Sequence, residues 1–344
     1  MTARLWEAVA AGDERAAALV VEDGLASGLD AEQLLLDVIA RVQARVGEEW
    51  MANRFTVAQE HAATAISERM AALVARHPGA ARTGRARGRI TVACVDGDWH
   101  ALPARLLSEV LTLHGWQVDY LGAHVPAHHL IGHLHRTGAD VVALSASVPT
   151  RLPAAHAAIT ACQAVAVPVI VGGAAFGGDG RYARLLGADA WAPDARTAAR
   201  VLDRGPLAAP KPDHQVIDDL PHLADQEYTL VTRARPRLVS AVLAGLADAY
   251  PAVRAYDDAQ RERTAEDLAH ITEFLAAALY TGDAALFTDF LLWTADVLTA
   301  RGVPAASLPP ALDLLGRQLQ DFPRATAMLR TATDRLITTY RKAR

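Results

Sequence analysis

Short apolar segments alternate with helix-length segments through the middle of this chain, and this alternation is the feature that most constrains its fold. The apolar segments predict strands at 90–95, 117–121, 140–145, 167–171 and 189–192. The segments between them predict helices at 103–114, 127–137, 152–165 and 180–186. Strands that are apolar throughout and separated by helices form parallel sheets covered on both faces. The central region is therefore predicted to be an α/β domain.

The regions on either side of this domain are predicted to be helical. Leu35, Ile39, Val42 and Val46 keep helical spacing in the N-terminal region. A further helix is predicted to begin near Thr56, which has capping-box spacing to Gln59. We expect the apolar face of that helix to consist of Ala62, Ala65, Ile66, Met70 and Leu73.

The chain is accordingly predicted to be multidomain, α and α/β. Residues 1–80 form a helical bundle, residues 86–205 a flavodoxin-like parallel α/β domain, and residues 216–344 an all-helical domain. Glycines among arginines at 79–88 and prolines at 204–215 predict the two linkers.

Composition narrows the classes of function. The chain is 51% hydrophobic with a net charge of −5, which favours packed cores and gives no general attraction to nucleic acid or anionic membranes. Its two cysteines, Cys94 and Cys162, fit a reduced compartment, and the N-terminus lacks the pattern of a signal peptide. We therefore expect a cytoplasmic protein with no nucleic-acid or membrane partner.

Polar residues and glycines follow three of the predicted strands. The first strand is followed by Asp98, Trp99, His100, Ala101, Leu102 and Pro103, the third ends in Ser145 and Ser147, and the fourth in Gly172 and Gly173. Ligands bind at the carboxyl ends of strands in open α/β sheets. A carboxylate two residues before a histidine can bond one ring nitrogen and leave the other free for a metal.

These three pieces together resemble the cobalamin-binding domain of methionine synthase, corrinoid carrier proteins and B12-dependent light sensors. The family pattern is Asp-x-His-x-x-Gly, then a Ser-containing strand end, then Gly-Gly; here Pro103 replaces the first glycine. The resemblance implies that His100 is the lower ligand of cobalt and that Asp98 fixes its tautomer. It also implies that Ser145 and Ser147 bond the nucleotide tail, which Gly172 and Gly173 allow to approach closely.

Trp50 followed ten residues later by Glu60-His61 resembles the cap of the B12-dependent light-sensing transcriptional repressors. The resemblance implies that Trp50 packs over an adenosyl group and that Glu60 accepts hydrogen bonds from it, with His61 beside them. We identify no DNA-binding helix-turn-helix before the bundle. Met51 also stands where the repressors carry a histidine that captures cobalt after the adenosyl group leaves.

The C-terminal region contains no phosphate loop, zinc spacing or nucleophile elbow. An isolated histidine, arginines and aromatics would suit a tetrapyrrole with propionates, although these residues fit an ordinary helical dimerisation domain better. The candidate contacts are Arg233, Arg235, Arg237, Tyr250, Arg261, Asp267 and His270. The succession of a B12 cap, a B12 domain and a helical domain resembles the photocobilins. This implies biliverdin, bound without a thioether because the region has no cysteine.

The sequence thus predicts a light-sensing photoreceptor that binds adenosylcobalamin and biliverdin, and not an enzyme. Light would change its association, either in a homo-oligomer of two or more copies or with a separate signalling partner. Two alternatives stay open. The chain could be a corrinoid carrier for a methyltransferase system, or its C-terminal domain could bind haem through His270.

Overall fold

The computed structural model describes residues 1–77, 87–208, 210 and 220–341. The chain divides into two compact units, Met1–Val216 and Ile217–Arg344. Most of the two predicted linkers, 79–88 and 204–215, lies outside the described residues. In the described part of the chain, no helix is long and apolar enough to cross a membrane.

The first unit begins with four helical segments. They are α1 (Thr2–Ala10), α2 (Glu14–Ala26), α3 and α4 (Val57–Ala75), where α3 runs from Ala31–Gln33 through a π-helical stretch, Leu34–Ile39, to Ala40–Met51. The capping box is confirmed: the hydroxyl of Thr56 accepts from the backbone N–H of Gln59, whose side chain accepts from the N–H of Thr56.

The predicted apolar face of α4 is partly wrong. Ile66 and Met70 are buried, but Ala62 is exposed, and Ala65 and Leu73 are only partly buried. The buried face consists of Ala63, Ile66, Ser67, Met70, Ala71 and Val74. This helix contacts α2 and α3 as well as the helix that follows the first strand. Alanines carry too little apolar surface to indicate which side such a helix buries.

The sheet follows the bundle and confirms the predicted α/β fold. Its strands are β1 (Arg89–Val95), β2 (Gln117–Val125), β3 (Val141–Ser145), β4 (Val169–Gly172) and β5 (Ala190–Ala192). All neighbours are parallel, in the flavodoxin-like order β2-β1-β3-β4-β5. The helices are α5 (Ala101–Leu113), α6 (Ala127–Thr137), α7 (Leu152–Ala164), α8 (Arg181–Leu185) and α9 (Ala195–Asp203).

One hydrophobic core runs through the bundle and the sheet. It joins residues such as Leu35 and Met70 to Val92, Leu106 and Leu202. Ion pairs reinforce this junction at the surface. Glu32 of α3 binds Arg196 Nε at 2.8 Å and His114 Nε2 at 2.9 Å, and Asp37 binds the same arginine at 3.1 Å.

The second unit is helical, as predicted. Its helices are α10 (Glu227–Ala249), α11 (Asp258–Thr281), α12 (Ala284–Ala300), α13 (Leu308–Gln318) and α14 (Pro323–Arg341). The buried carboxylate of Glu227 accepts hydrogen bonds from the backbone N–H groups of Arg324 and Ala325 at 3.0 and 2.8 Å. This side chain satisfies the otherwise unpaired start of α14 and so ties the first helix of the unit to the last.

We expect Glu32→Gln to lower the free energy of unfolding by about 1 kcal/mol at neutral pH. Burial raises the pKa of Glu32, but hydrogen bonds from Arg196 and His114 outweigh it and lower the pKa. Glu32 therefore contributes stability above its unfolded pKa of about 4.3, and this contribution is lost as the pH falls through the folded pKa. Urea denaturation followed by circular dichroism should show the variant and wild type converging in acid. The matched control is exposed Glu22→Gln, and a difference independent of pH would contradict the assignment.

Candidate functional site

A buried carboxylate organises the loop after β1. The side chain of Asp98 is 1% exposed, whereas that of His100 is 60% exposed. Asp98 Oδ1 accepts from the backbone N–H of His100 at 2.9 Å and from its ring Nδ1 at 2.8 Å. Asp98 Oδ2 accepts from the backbone N–H of Ser147 at 2.5 Å. The aspartate therefore holds the histidine ring and joins the loops after β1 and β3.

The electrostatics of this pair favour a basic, correctly oriented imidazole. Burial raises the pKa of Asp98, but hydrogen bonds from His100 and Ser147 outweigh it, so the pKa lies below its usual value. The hydrogen bond to Asp98 raises the pKa of His100 against the effect of burial, and the carboxylate of Glu60 adds to the rise. Because Nδ1 donates to a carboxylate, Nε2 is the nitrogen left to bind a metal.

The end of β2 supports the same loop, which the sequence did not predict. The backbone N–H of His124 donates to the backbone oxygen of Asp98 at 2.9 Å, and His124 Nδ1 accepts from the N–H of Gly97 at 2.8 Å. The His124 ring also stacks on Trp99, with ring centroids 4.8 Å apart. Trp99 is 71% exposed, so a large apolar surface lies open beside His100.

A cavity of about 100 Å³ opens at the carboxyl edge of the sheet. It lies between the ends of β3, β4 and β5 and the helices α5 and α9. Four predicted site residues line it: Pro103, Ser145, Gly172 and Gly173. The sequence did not predict the remaining wall, which includes Leu107, Leu111, Ala192, Asp194, Ala195, Ala198 and Leu202. The spacing Pro103, Leu107, Leu111 was a signal, because residues four apart share a helix face.

The glycine pair shapes one wall of this cavity. Gly173 has φ +99° and ψ 162°, a conformation that is essentially restricted to glycine. A methyl group at Gly173 would lie 2.3 Å from the backbone oxygen of Ala146, and one at Gly172 would lie 2.9 Å from that of Ala192. The glycines are thus required by close contacts between backbone segments, in addition to the ligand approach expected from the sequence.

The other predicted residues of this region occupy distinct positions. Ser145 is buried and pairs in register with Gly172, whereas Ser147 contributes its backbone N–H to Asp98. Leu102 is part of the hydrophobic core. Pro103 is exposed at the rim of the cavity, in the first turn of α5, where proline costs no hydrogen bond.

The bundle brings Glu60 toward the same space, close enough to influence the pKa of His100. The carboxylate is held from behind by two other side chains. Thr64 Oγ1 donates to Glu60 Oε1 at 2.8 Å, and Gln43 Nε2 of α3 donates to Thr64 Oγ1 at 2.7 Å. This chain of hydrogen bonds fixes α4 against α3, whose last turn contains the partly buried Trp50.

His61 is exposed next to Glu60. Its Nδ1 donates to the backbone oxygen of Val57 at 2.9 Å and lies 2.8 Å from Glu60 Oε2. Its Nε2 is therefore the ring nitrogen that faces outward.

The predicted contacts in the second unit are dispersed. Arg233, Arg237, Arg261 and His270 are exposed, and Tyr250 is partly buried. Arg235 forms an ion pair with Glu273. Burial raises the pKa of Asp267, although His270 and Arg301 partly offset this rise. None of these residues lines the open groove between α12 and α14, where Thr288, Asp289 and Arg335 lie.

Comparisons with known proteins agree with this geometry. The family profile of the B12-binding domain matches residues 88–202, and a second B12-binding domain profile matches residues 1–74. The chain is therefore a cobalamin-binding protein. Its site fits the cofactor, because an exposed imidazole is held by a buried carboxylate beside a cavity in whose wall two positions have room only for glycine.

Two relatives and one structure are similar to the chain. It is 37% identical over 126 residues to the HTH-type transcriptional repressor CarA of Myxococcus xanthus, covering 36% of this chain and 42% of the repressor. It is 24% identical over 151 residues to trimethylamine corrinoid protein 1 of Methanosarcina acetivorans, covering 44% of this chain and 70% of that protein. The fold resembles that of the Methanosarcina barkeri monomethylamine corrinoid protein, with a TM-score of 0.51 and 20% identity, covering 58% of this chain and 94% of the other.

We expect Gly173→Ala to lower the free energy of unfolding by about 1–3 kcal/mol, because alanine is strained at this φ and ψ, and to weaken corrinoid binding. The backbone oxygen of Ala146 leaves no room for the added methyl group. Gly178→Ala is the matched control, since a methyl group there would meet open space. Chemical denaturation and corrinoid titration should separate the two variants. Equal stability would show that the loop adapts without cost.

Proposed function

We propose that this chain is a cytoplasmic light sensor, not an enzyme, that binds adenosylcobalamin between its bundle and its sheet. The observation on which the proposal depends is that two carboxylates from different parts of the fold act on one imidazole, that of His100. His100 is held from below by buried Asp98, while Glu60 of the bundle lies within electrostatic reach of the same ring. A ligand bound through His100 would therefore also contact the bundle.

Each part of the site has a role toward the cofactor. His100 Nε2 would coordinate cobalt, and Asp98 would keep Nδ1 protonated and the ring oriented. The cavity lined by Ser145, Gly172 and Gly173 would receive the nucleotide tail. Glu60 would accept hydrogen bonds from the adenosyl group and Trp50 would pack against it.

Adenosylcobalamin supplies a cobalt–carbon bond that visible light breaks. The residues of the chain convert that event into a change of contacts. Trp50 and Glu60 would contact the upper group only while it is bound, so its loss would shift the balance between two packings of the bundle. We propose that the output is a change in association, in a homo-oligomer or with a separate signalling partner.

The similarity to a transcriptional repressor supports a regulatory role, although this chain spans only 42% of that protein's length. For the second unit we propose non-covalent binding of biliverdin. Two features support a ligand with both pyrrole nitrogens and propionates. Asp267 is half-buried, with His270 and Arg301 nearby, and arginines lie on the surface of α10.

A second candidate function is a corrinoid carrier that serves a methyltransferase. It is favoured by the similarity to trimethylamine corrinoid protein 1, of which this chain spans 70%. Thr64 and Gln43 hold the carboxylate of Glu60 in place. This carboxylate favours adenosylcobalamin over methylcobalamin as the bound form, because a methyl group needs no large polar acceptor.

Purified protein supplied with adenosylcobalamin and biliverdin tests the main proposal. We expect a dark spectrum with a nitrogen ligand on cobalt, loss of that spectrum under green light, and a change in oligomeric state by size-exclusion chromatography with light scattering. His100→Ala should lose the histidine ligation of cobalt, whereas the exposed control His135→Ala should retain it. In the cobalt(II) form, ¹⁵N-histidine should alter the nitrogen splitting of the paramagnetic resonance signal in wild type but not in His100→Ala.

The same sample distinguishes the roles of the second unit. A bound red-absorbing bilin supports the proposal, whereas a haem Soret band that His270→Ala abolishes supports the haem alternative. Unchanged cobalt ligation in His100→Ala would refute the lower-ligand assignment. An identical elution profile in dark and light would refute the sensor.

Variants of the upper support discriminate between the sensor and the carrier. We expect Glu60→Gln and Thr64→Val each to weaken adenosylcobalamin binding about fivefold. Glu60→Gln weakens a charge-assisted hydrogen bond to the ligand, and Thr64→Val removes the hydrogen bond that supports Glu60. Methylcobalamin affinity should not change. Glu48→Gln, exposed on α3, is the control. Equal loss for both corrinoids, or methyl transfer to a methyltransferase without a light response, would favour the carrier.

A further inference from the structure

An arginine without a carboxylate partner lies at the edge of the site. Arg151 ends a short 3₁₀ turn, Pro149–Arg151, directly after the β3 loop, and it is partly buried. Among residues 1–77, 87–208 and 220–341, no carboxylate forms an ion pair with it. Two other arginines of this unit behave differently: Arg105 pairs with Glu109, and Arg196 pairs with Glu32 and Asp37.

The position of Arg151 links the His100 loop to the cavity. A methyl group at Gly97 would lie 2.9 Å from Arg151 Nη1, so the guanidinium rests against the residue preceding Asp98. The turn that carries Arg151 also packs against a second turn, Ala174–Phe176, which follows Gly173 in the cavity wall. Arg151 is thus on a segment that contacts the His100 loop and the turn next to the cavity wall.

Among the described residues that line the cavity, the charged one is Asp194. Its wall is mainly apolar, but Asp194 lines the end formed by β5, where its carboxylate caps α9 by accepting from the N–H of Thr197 at 2.6 Å. An anion at that end would meet a carboxylate. The guanidinium of Arg151 lies outside this lining, against Gly97, so an anion just outside the cavity near the loop of Gly97 would be attracted to it.

We propose that Arg151 binds the phosphodiester of the corrinoid's nucleotide tail. The inference rests on the proposed corrinoid site and adds the residue that orients the tail. The side chains of the corrin ring end in neutral amides, so the phosphodiester is the anionic group of the ligand. It lies between the ring and the terminal base, so a tail whose base entered the cavity would carry its phosphodiester near the cavity mouth. A guanidinium matches a phosphate with two parallel hydrogen bonds.

Three corrinoids isolate the phosphate: cobinamide, which lacks the phosphate, ribose and base, cobinamide phosphate, which lacks only the ribose and base, and hydroxocobalamin, which has all three. We expect Arg151→Ala to weaken binding of hydroxocobalamin and cobinamide phosphate about tenfold, the loss of one charged hydrogen-bonded contact. Cobinamide affinity should stay as in wild type. Arg151→Lys should retain part of the phosphate-dependent affinity, and Arg136→Ala, an exposed arginine at the end of α6, should bind all three as wild type does.

The outcomes separate the inference from the proposed function. Equal weakening for all three corrinoids would mean that Arg151 acts through the His100 loop, and no weakening would mean that it does not touch the tail; either overturns the inference. If wild type binds none of the three, the proposed site fails and the inference fails with it. Thermal unfolding monitors folding, and Arg151→Gln serves in place of Arg151→Ala if the latter does not fold.

Discussion

The buried carboxylate of Asp98 is the contact on which the ligand-binding edge of the sheet depends. Removing a charge from water is costly unless hydrogen bonds compensate it. Here the ring and backbone of His100 and the backbone of Ser147 provide these hydrogen bonds. The backbone oxygen of Asp98 also holds the end of β2, because it accepts from the backbone N–H of His124. Three strand ends therefore meet at one residue. Glu227 acts in the same way in the second unit, where its buried carboxylate holds the start of the last helix.

The continuity between the bundle and the sheet limits how a ligand can act on them. Both share one apolar core, and Glu32 and Asp37 pair with groups on the α/β side. Complete separation of the bundle from the sheet would expose that core and break those ion pairs. The contacts around Glu60 and Trp50 lie nearer the solvent and are less buried. If a ligand binds above His100, as proposed, a shift at the Glu60 end of α3 and α4 would disturb the shared core least.

The sequence predicted the strands, their order and the loop of Asp98 and His100, because uniformly apolar strands and a polar loop at a strand end are strong local signals. It predicted less where the signal is weak or distant. The buried side of α4 was misassigned because alanines scarcely distinguish one face from another. The α9 wall of the cavity was missed because no helix was predicted after the fifth strand, although Ala195–Asp203 is helical, and because Ala195 and Ala198 carry no chemistry. The support from His124 comes from a residue at the end of β2 with φ +50°, which no spacing rule identifies.

Each of the first four strands contributes one part of the site. The loop after β1 carries the exposed imidazole of His100, β2 holds that loop, β3 is followed by the turn of Arg151, and β4 ends in a glycine gap. Two of these contributions need no particular side chain: the backbone N–H of His124 donates to the loop, and the glycines leave room for neighbouring backbone. Proline at position 103 fits this logic: it stands in the first turn of α5, where the helix needs no N–H, and leaves the backbone that shapes the cavity unchanged.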